Sequence, residues 1–433
     1  MVLEMRKMKD SGIEWIGEIP EGWKIVPVRS CFDEVRTKNS DGQEQNALQF
    51  KSGNIISKTN FNASMDGYVA DTITNYTVVL PDTVMINGLN LNYDFKSLRV
   101  ALVKEKGVIT SAYLAIFPDR KKISPQYATY LFKGYETKMA FHNMGAGIRK
   151  TLGYKEFKNQ PLLLPSEKEQ NKISSYLDSK CSHIDIMLSK IRSSIEEYKK
   201  LKQTVITQAV TKGVRGKREM KDSGVEWIGE IPKEWVIQKI KSISSRVNVG
   251  VVIRPSEYFD ENGTVPFLRG INVKEYLISS DNMVYINESS NRILSKSQVH
   301  TDDILIVRDG SIGTSCVVPA EFDGANVVSM VIATPSISCD SRFICYSLNS
   351  DVGKTQFTLT KIGSALTHTS VSAVSDIIVA VPSCAEQKEI ADYLDAKCAE
   401  IDGLISKKEQ LVKELESYKK SLIYEVVTGK REV

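Results

Sequence analysis

The sequence predicts an α+β protein: two mixed α/β domains separated by a long antiparallel two-helix coiled coil, the whole pseudo-two-fold. Three observations predict it. Residues 8–23 (MKDSGIEWIGEIPEGW) return at 220–235 (MKDSGVEWIGEIPKEW), with thirteen of sixteen positions identical. Residues 165–185 (PSEKEQNKISSYLDSKCSHID) return at 382–402 as PSCAEQKEIADYLDAKCAEID. Each of these second segments opens a long stretch of apolar residues at steps of three and four. A solenoid would repeat every ~20 to 50 residues. Separations of 212 and 217 residues instead mark a duplicated large unit in which only part stayed fixed.

The elements follow in order: a head segment (1–23), a first variable region (24–164), a central segment holding a long helix and a second head (165–235), a second variable region (236–381) and a C-terminal long helix (382–433). QAVTKGVRGKREMKDSG in the middle is matched by the C-terminal EVVTGKREV followed by the N-terminal MKDSG, so tail and head together spell what the middle says in one piece. A chain of 433 residues is long enough for two or three domains with real cores, and 42% hydrophobic with 25% charged residues is ordinary globular composition.

No apolar run approaches the ~18 residues needed to cross a bilayer, and the N-terminus lacks an apolar signal core, so a cytoplasmic protein without membrane contact is expected. Seven cysteines without a CxxC pair read as reduced thiols, and four scattered histidines offer no metal cluster. The net charge of +4 permits a polyanionic partner without demanding one, so local placement of charge has to carry that argument.

Both arms begin with helix signals. Ser166 with Glu169, and Ser383 with Glu386, each fit an S-x-x-E capping box directly after a proline. The first arm places Ile173, Leu177, Cys181, Ile184, Leu188, Ile191, Ile195 and Tyr198 on one stripe. The second places Ile390, Leu394, Cys398, Ile401, Ile405, Leu411, Leu415, Tyr418 and Leu422, with Lys408 interrupting. A narrow stripe flanked by charge is a coiled-coil seam. Each variable region precedes its arm, so antiparallel arms bring the end of the first helix beside the start of the second and let the connector of about 20 residues avoid running back along a rod of roughly 65 to 70 Å. A lone amphipathic helix on its own domain is the alternative.

The variable regions share a grammar of short strands divided by Gly, Asn and Asp. DTVMING (82–88) and DDILIVRDG (302–310) each read as a polar turn entering an apolar strand that ends at Gly. TSAYLAIF (110–117) and VVSMVIA (327–333) read as later strands, KISPQYATYLFKG (122–134) and CDSRFICYSLNS (339–350) as amphipathic helices. Basic and aromatic residues gather late in the first region around GAGIRKTLGYK: Lys133, Lys138, Arg149, Lys150, Tyr154, Lys155 and Lys158. The second carries Arg269 in FLRGINVKE, Arg308 in VRDGS, and Lys361 with His368 in TKIGSALTHTS. Lys and Arg with Asn, Gln and Tyr on loops are the chemistry that grips phosphates and reads base edges; any one such loop alone is ordinary solvated surface.

Catalytic motifs are missing. There is no G-x-x-x-x-G-K-[ST] loop, no glycine-rich cofactor fingerprint after a strand, and no NPPF- or DPPY-type segment of the kind adenine methyltransferases use on a flipped base. VRDGSIGTS lacks a nucleophile elbow and an evident His partner, and Asp302 with Asp303 reads as a turn. The chain reads as one that recognises and does not catalyse.

The repeated DSG-[IV]-EWIGEIP-x-x-W heads, the arm starts PSEKEQNKISSYLD and PSCAEQKEIADYLD, the arm ends VTKG and VVTGK, and the segments DDILIVRDGSIG and INGLNLNYDFKSLRVALVKEKGVITSAYL resemble the specificity subunits of type I restriction-modification systems. The resemblance spans essentially the whole chain. It implies two target-recognition domains, each reading one half of a bipartite double-stranded DNA site, on arms that dock two modification (methyltransferase) subunits. Restriction (translocase and nuclease) subunits would join them. It also implies that S-adenosylmethionine, ATP and Mg belong to those partners, with no cofactor, metal or catalytic residue in this chain.

Candidate DNA contacts are Asn90, Asn92, Tyr93, Arg99, Arg149, Lys150, Tyr154 and Lys155 in the first domain, and Arg269, Asn272, Lys274, Arg308, Ser311, Lys361 and His368 in the second. Candidate partner or coil-packing residues are Trp15, Trp23, Trp227, Trp235, Leu177, Ile184, Leu188, Ile191, Leu394, Ile401, Leu411 and Leu415. One departure from two-fold register is expected, because the first arm reads about three residues shorter than the second between Ser189-Lys190 and the Tyr-Lys-Lys at 198–200. Two other readings stand beside this one: the recognition subunit of a fused type IIB/IIG-like restriction enzyme, and a coiled-coil protein scaffold without DNA binding.

Overall fold

A computed structural model describes residues 6–58, 73–95, 98–148, 150–359 and 368–433. The chain divides into two compact units, Met1–Arg192 with Gln410–Val433, and Ser193–Glu409. Each unit is built from the same parts.

In the first unit the head forms an antiparallel pair, Met8–Asp10 with Glu18–Pro20. Lys24–Pro27 then pairs with Pro161–Leu164, closing the variable region on itself. Between them lies a four-stranded antiparallel sheet in the order Phe32–Glu34, Leu114–Pro118, Val84–Ile86, Val100–Leu102. Alternation along the strands sends side chains to both faces. Val84, Ile86, Val100, Leu114 and Ile116 pack under helix Pro125–Thr137 through Tyr127, Leu131, Phe132 and Tyr135. Met85, Ala101 and Ala115 face a second cluster with Leu48, Val79 and Ile109. The helix starts where Ser124 accepts the Tyr127 N–H with Pro125 in the first turn, a sequence-legible cap.

The second unit repeats this plan. Met220–Asp222 pairs with Glu230–Pro232, and Val236–Lys239 with Ile378–Val381. The four-stranded sheet runs Ser244–Val249, Met330–Pro335, Ile304–Val307, Ser315–Val317. Helix Ser341–Asn349 covers Ile304, Ile306, Val331 and Ala333 through Phe343, Ile344 and Leu348, while Leu305, Val307 and Ile332 serve a separate cluster. Both central strands are entered through a left-handed Asp, Asp82 at φ +75° and Asp302 at φ +69°. Asp303 is buried and holds Arg246 at 2.9 Å, so the Asp302–Asp303 pair is a turn and a tether. The units differ outside this sheet: the second adds a three-stranded sheet of Val284–Ile286, Val265–Leu268 and Asn326–Val327, whose last pair is parallel.

Two long helices, Glu167–Lys212 and Cys384–Val427, supply part of each unit. In the first unit Asp185 meets Lys419 at 2.6 Å and Arg192 meets Glu416. In the second, Lys408 lies 5.5 Å over the Tyr198 ring and Lys202 meets Asp402 at 2.6 Å. In both units residue numbers rise on one helix as they fall on the other, so the helices run antiparallel.

The seam residues Leu394, Cys398, Ile401, Ile405, Lys408, Val412, Leu415, Lys419 and Leu422 are each buried or half-buried, and their steps alternate strictly between four and three. This corrects two seam assignments, for Tyr418 is 48% exposed and Lys419 lies on the seam in its place. Leu411 is 42% exposed and Val412 takes its place. The reason is that Lys408 does not interrupt the stripe but belongs to it, its stem along the seam and its ammonium on Tyr198.

The expected three-residue shortfall is also corrected. Leu177, Cys181, Ile184, Leu188, Ile191, Ile195, Tyr198 and Lys202 match Leu394 through Lys419 at a constant offset of 217. Thr211 bonds the Thr207 carbonyl and Thr428 the Tyr424 carbonyl, both at 2.7 Å, at the same offset. The register never slips; the two Tyr-Lys-Lys triplets share a surface composition but not a position on the helix.

Candidate nucleic-acid interface

In each unit the strand entered through the left-handed Asp ends in a loop that meets a second loop from late in the variable region. In the first unit these are 87–95 and 145–153. The Leu152 N–H donates to the Gly88 carbonyl at 2.9 Å, Leu91 N–H to the Lys150 carbonyl at 3.1 Å, and Asn92 Nδ2 to the Ile148 carbonyl at 3.0 Å. Position 88 must be glycine, because a Cβ there would lie 2.4 Å from the Leu152 carbonyl oxygen. In the second unit the Thr369 N–H donates to the Arg308 carbonyl at 3.1 Å, Arg308 Nε returns a bond to the Thr369 carbonyl at 3.0 Å, and Asp309 bridges His368. The structure thus joins two pairs of segments that lie some sixty residues apart in sequence.

Among the candidates of the first unit, Asn90 is exposed at φ +52°, Tyr93 is 72% exposed, and Lys150 and Lys155 are exposed. Asn92 is half-buried as the link to Ile148. Tyr154 donates its hydroxyl to the Phe32 carbonyl at 2.7 Å and so braces the edge strand. Lys133 and Lys138 lie against aromatic rings, Tyr130 at 5.9 Å and Tyr424 at 4.6 Å. Arg149 and Lys361 lie outside the described residues.

Arg99 requires a correction. It is 1% exposed; its guanidinium donates to the carbonyls of Asn87 (2.8 Å), Leu89 (2.9 Å) and Asp94 (2.6 Å), with the Asp94 carboxylate at 3.5 Å. It shapes the 87–95 loop from inside and cannot reach a ligand.

The second unit shows the same division. Lys274, Ser311 and His368 are exposed, and Arg308 is half-buried. Asn272 is fully buried, which corrects its reading as a contact: it accepts the Arg269 N–H at 3.0 Å and donates to the carbonyls of Ser279 (3.1 Å) and Asp281 (2.9 Å). Arg269 bonds the Asn282 carbonyl, and Gly270 comes close to Val307, which brings this loop beside Arg308. Residues 252 and 253, an exposed Val-Ile pair, precede Arg254 on a loop whose Val251 carbonyl takes the Ser329 N–H at 3.0 Å; Ser329 in turn reaches Asp309 at 3.2 Å. Sequence reasoning passed over this segment and over Ile148 because isolated aliphatics beside basic residues carry no periodic pattern.

Glu136 sits behind the first loop pair and accepts the Arg99 backbone N–H at 2.6 Å. Burial pushes its carboxyl up to about 7, partly opposed by that bond and by the Arg99 charge. The folded chain therefore keeps a proton that the unfolded chain loses near pH 4.5. Stability is expected to fall by about 3 kcal/mol between pH ~4.5 and ~7 from this group. Glu136→Gln should flatten that part of a thermal-denaturation profile against pH.

The tryptophans divide as well. Trp23 and Trp235 are buried, Trp15 is half-buried and edge-on to Tyr135 at 4.7 Å, but Trp227 is exposed and anchors no core. No group of three or more potential metal ligands occurs among the described residues, and no helix there is long and apolar enough to cross a membrane.

Residues 232–414 match the model of the type I restriction modification DNA specificity domain. Over 427 residues the chain is 24% identical to the putative type I restriction enzyme MjaX specificity subunit of Methanocaldococcus jannaschii, covering 96% of this chain and 95% of that one. It is 23% identical over 438 residues to the type I restriction enzyme MjaVIII specificity subunit of the same organism, covering 99% and 98%. A solved chain from the type I R-M system superposes with a TM-score of 0.71 at 14% identity, covering 95% of this chain and 99% of that one, which shows a shared fold. Along nearly its whole length, and in its fold, the chain is thus similar to type I restriction enzyme specificity subunits, with the DNA specificity domain of that family matched over residues 232–414.

Proposed function

We propose that this chain reads a bipartite, asymmetric DNA site for a type I restriction-modification complex and takes no part in the chemistry itself. One observation carries the reading: both units place the same pair of loops at the same strand end, yet fill them with different side chains. Asn90, Tyr93 and Lys150 stand in one, and Arg308, Ser311 and His368 in the other, with Lys274 exposed on the neighbouring strand Val273–Lys274. Like frames with unlike loops suit two different half-sites, and Lys, Arg, Asn and Tyr on loops suit phosphate and base-edge contact.

The repeated arms suit two copies of one partner. Outside the seam, Met187, Leu411 and Tyr418 in the first unit, and Leu201 and Leu404 in the second, are exposed apolar residues. At the offset of 217, Met187 matches Leu404 and Leu201 matches Tyr418. These are the docking residues we assign to two adenine-methyltransferase subunits, which would bring S-adenosylmethionine, with restriction subunits bringing ATP and Mg. Leu404→Asp with Leu411→Asp should weaken capture of the modification subunit about tenfold or more while leaving the melting temperature of the chain unchanged. Equal loss of both would place these residues in the fold instead.

Sequencing of methylated bases in cells carrying the chain with its modification subunit tests the reading directly. The expected motif is two short, different half-sites separated by unread base pairs. A continuous motif, or no methylation that depends on this chain, would overturn it.

A further inference from the structure

We propose that Ile148 is a specificity-determining residue of the first unit, reading a thymine 5-methyl group in its half-site; the proposal rests on the DNA-recognition reading above. Ile148 stands at the tip of a hairpin closed by Ala146 N–H to the Thr151 carbonyl (3.1 Å) and Thr151 N–H to the Ala146 carbonyl (2.9 Å), with Lys150 N–H on the Gly147 carbonyl (3.0 Å) inside it. Gly147 makes the turn at φ +83°, a backbone that side chains rarely adopt. The tip is pinned from the neighbouring loop by Asn92 Nδ2 on the Ile148 carbonyl at 3.0 Å and by Leu91 N–H on the Lys150 carbonyl at 3.1 Å. On this fixed tip the isoleucine is 95% exposed.

A single exposed aliphatic is ordinary, and Ile337 at a turn beyond strand Met330–Pro335 is one of that kind. Ile148 differs in its setting. Its carbonyl is tied to a second loop, which fixes the position of the tip from which the side chain projects. The loop that ties it carries exposed Tyr93 and Phe95, the latter stacked on His142 at 5.1 Å, and Lys150 flanks it two residues on.

An aromatic and basic surface is the kind that meets nucleic acid. Isoleucine is stiff at its first torsion, so burying it against a ligand costs little further ordering. The apolar group a duplex offers in its major groove is the thymine methyl. A wedge between base steps is the other use of an aliphatic side chain, and it requires the stack to open; a β-branched side chain on a short, pinned hairpin reaches a methyl without that.

The test uses the chain assembled with its modification subunits on a duplex bearing the mapped site. Each thymine of both half-sites is replaced in turn by deoxyuridine. One replacement should weaken binding about fourfold, the effect of withdrawing one methyl group from an apolar contact. Ile148→Ala should weaken binding to the thymine duplex by at least as much, become indifferent to that replacement, and leave binding to random duplex unchanged.

The proposal is overturned if no thymine responds, or if Ile148→Ala leaves the responding position as sensitive as before. Brightening of 2-aminopurine at an unresponsive step, lost in Ile148→Ala, would assign a wedge and overturn the methyl contact. A wild-type complex that shows no salt-dependent preference for the mapped duplex over random DNA would overturn the reading of function rather than this residue's role.

Discussion

Arg99→Ala is expected to destabilise the first unit by about 3 kcal/mol and to erase recognition of its half-site. The guanidinium is the hub on which the 87–95 loop is wound: three carbonyls and the Asp94 carboxylate converge on it, and its own carbonyl accepts the Asn87 N–H at 2.8 Å. Each buried carbonyl left without a donor costs about 1 to 3 kcal/mol. Asp94 is partly exposed, so water can enter from that side and keep the total near the low end of the sum. Lysine should not rescue, because a single ammonium cannot span carbonyls from Asn87 to Asp94 as a planar fork does. Denaturant unfolding and binding to each half-site measure the two effects together. A loss under about 1 kcal/mol, or equal weakening at both half-sites, would contradict this role for Arg99.

The second large effect is expected at Arg218. In the second unit it pairs with Glu386 at 2.7 Å, donates to the Lys212 carbonyl at 3.1 Å and lies 5.3 Å over the Trp235 ring. It thereby ties the end of one long helix to the start of the other. Glu386 is nearly inaccessible, so Arg218→Ala strands a carboxylate that Arg215, at 3.8 Å, only partly compensates. The expected cost is about 3 kcal/mol.

The same motif in the first unit is Arg6 with Glu169, beside Trp23 at 5.5 Å, but there both partners are about a third exposed. Arg6→Ala should cost about 1 kcal/mol or less. Equal losses at the two sites, measured by urea denaturation, would show that burial does not decide the strength of these pairs.

The repeated frame was legible in the sequence because its signals are local and doubled. Heads, helix starts and seam recur at fixed offsets, and a period of three and four residues needs no knowledge of the fold. Position on the seam was less legible. Leu411 and Val412 are both apolar, and Lys408, whose charge suggested a break, is what decides between them.

The loop pairs were half legible. Composition marked 90–99, 145–155, 308–311 and 361–368, but Arg99 and Arg308 look alike in a string of letters. Whether an arginine faces a ligand or its own loop depends on carbonyls brought to it by chain closure: Asn87 and Leu89 for Arg99, Thr369 for Arg308. Asn272 was misread for the same reason. Polar residues that build a loop and polar residues that the loop presents have the same chemistry, and burial alone separates them.

The most direct test of two unlike readers on one duplicated frame is methylated-motif mapping with variants confined to one unit's loops. Lys150→Ala with Tyr93→Ala should relax or abolish one half of the motif and leave the other half and its spacing intact. Arg308→Ala with His368→Ala should do the reverse. Variants from both units that degrade the same half, or that weaken every position of the motif alike, would contradict the account.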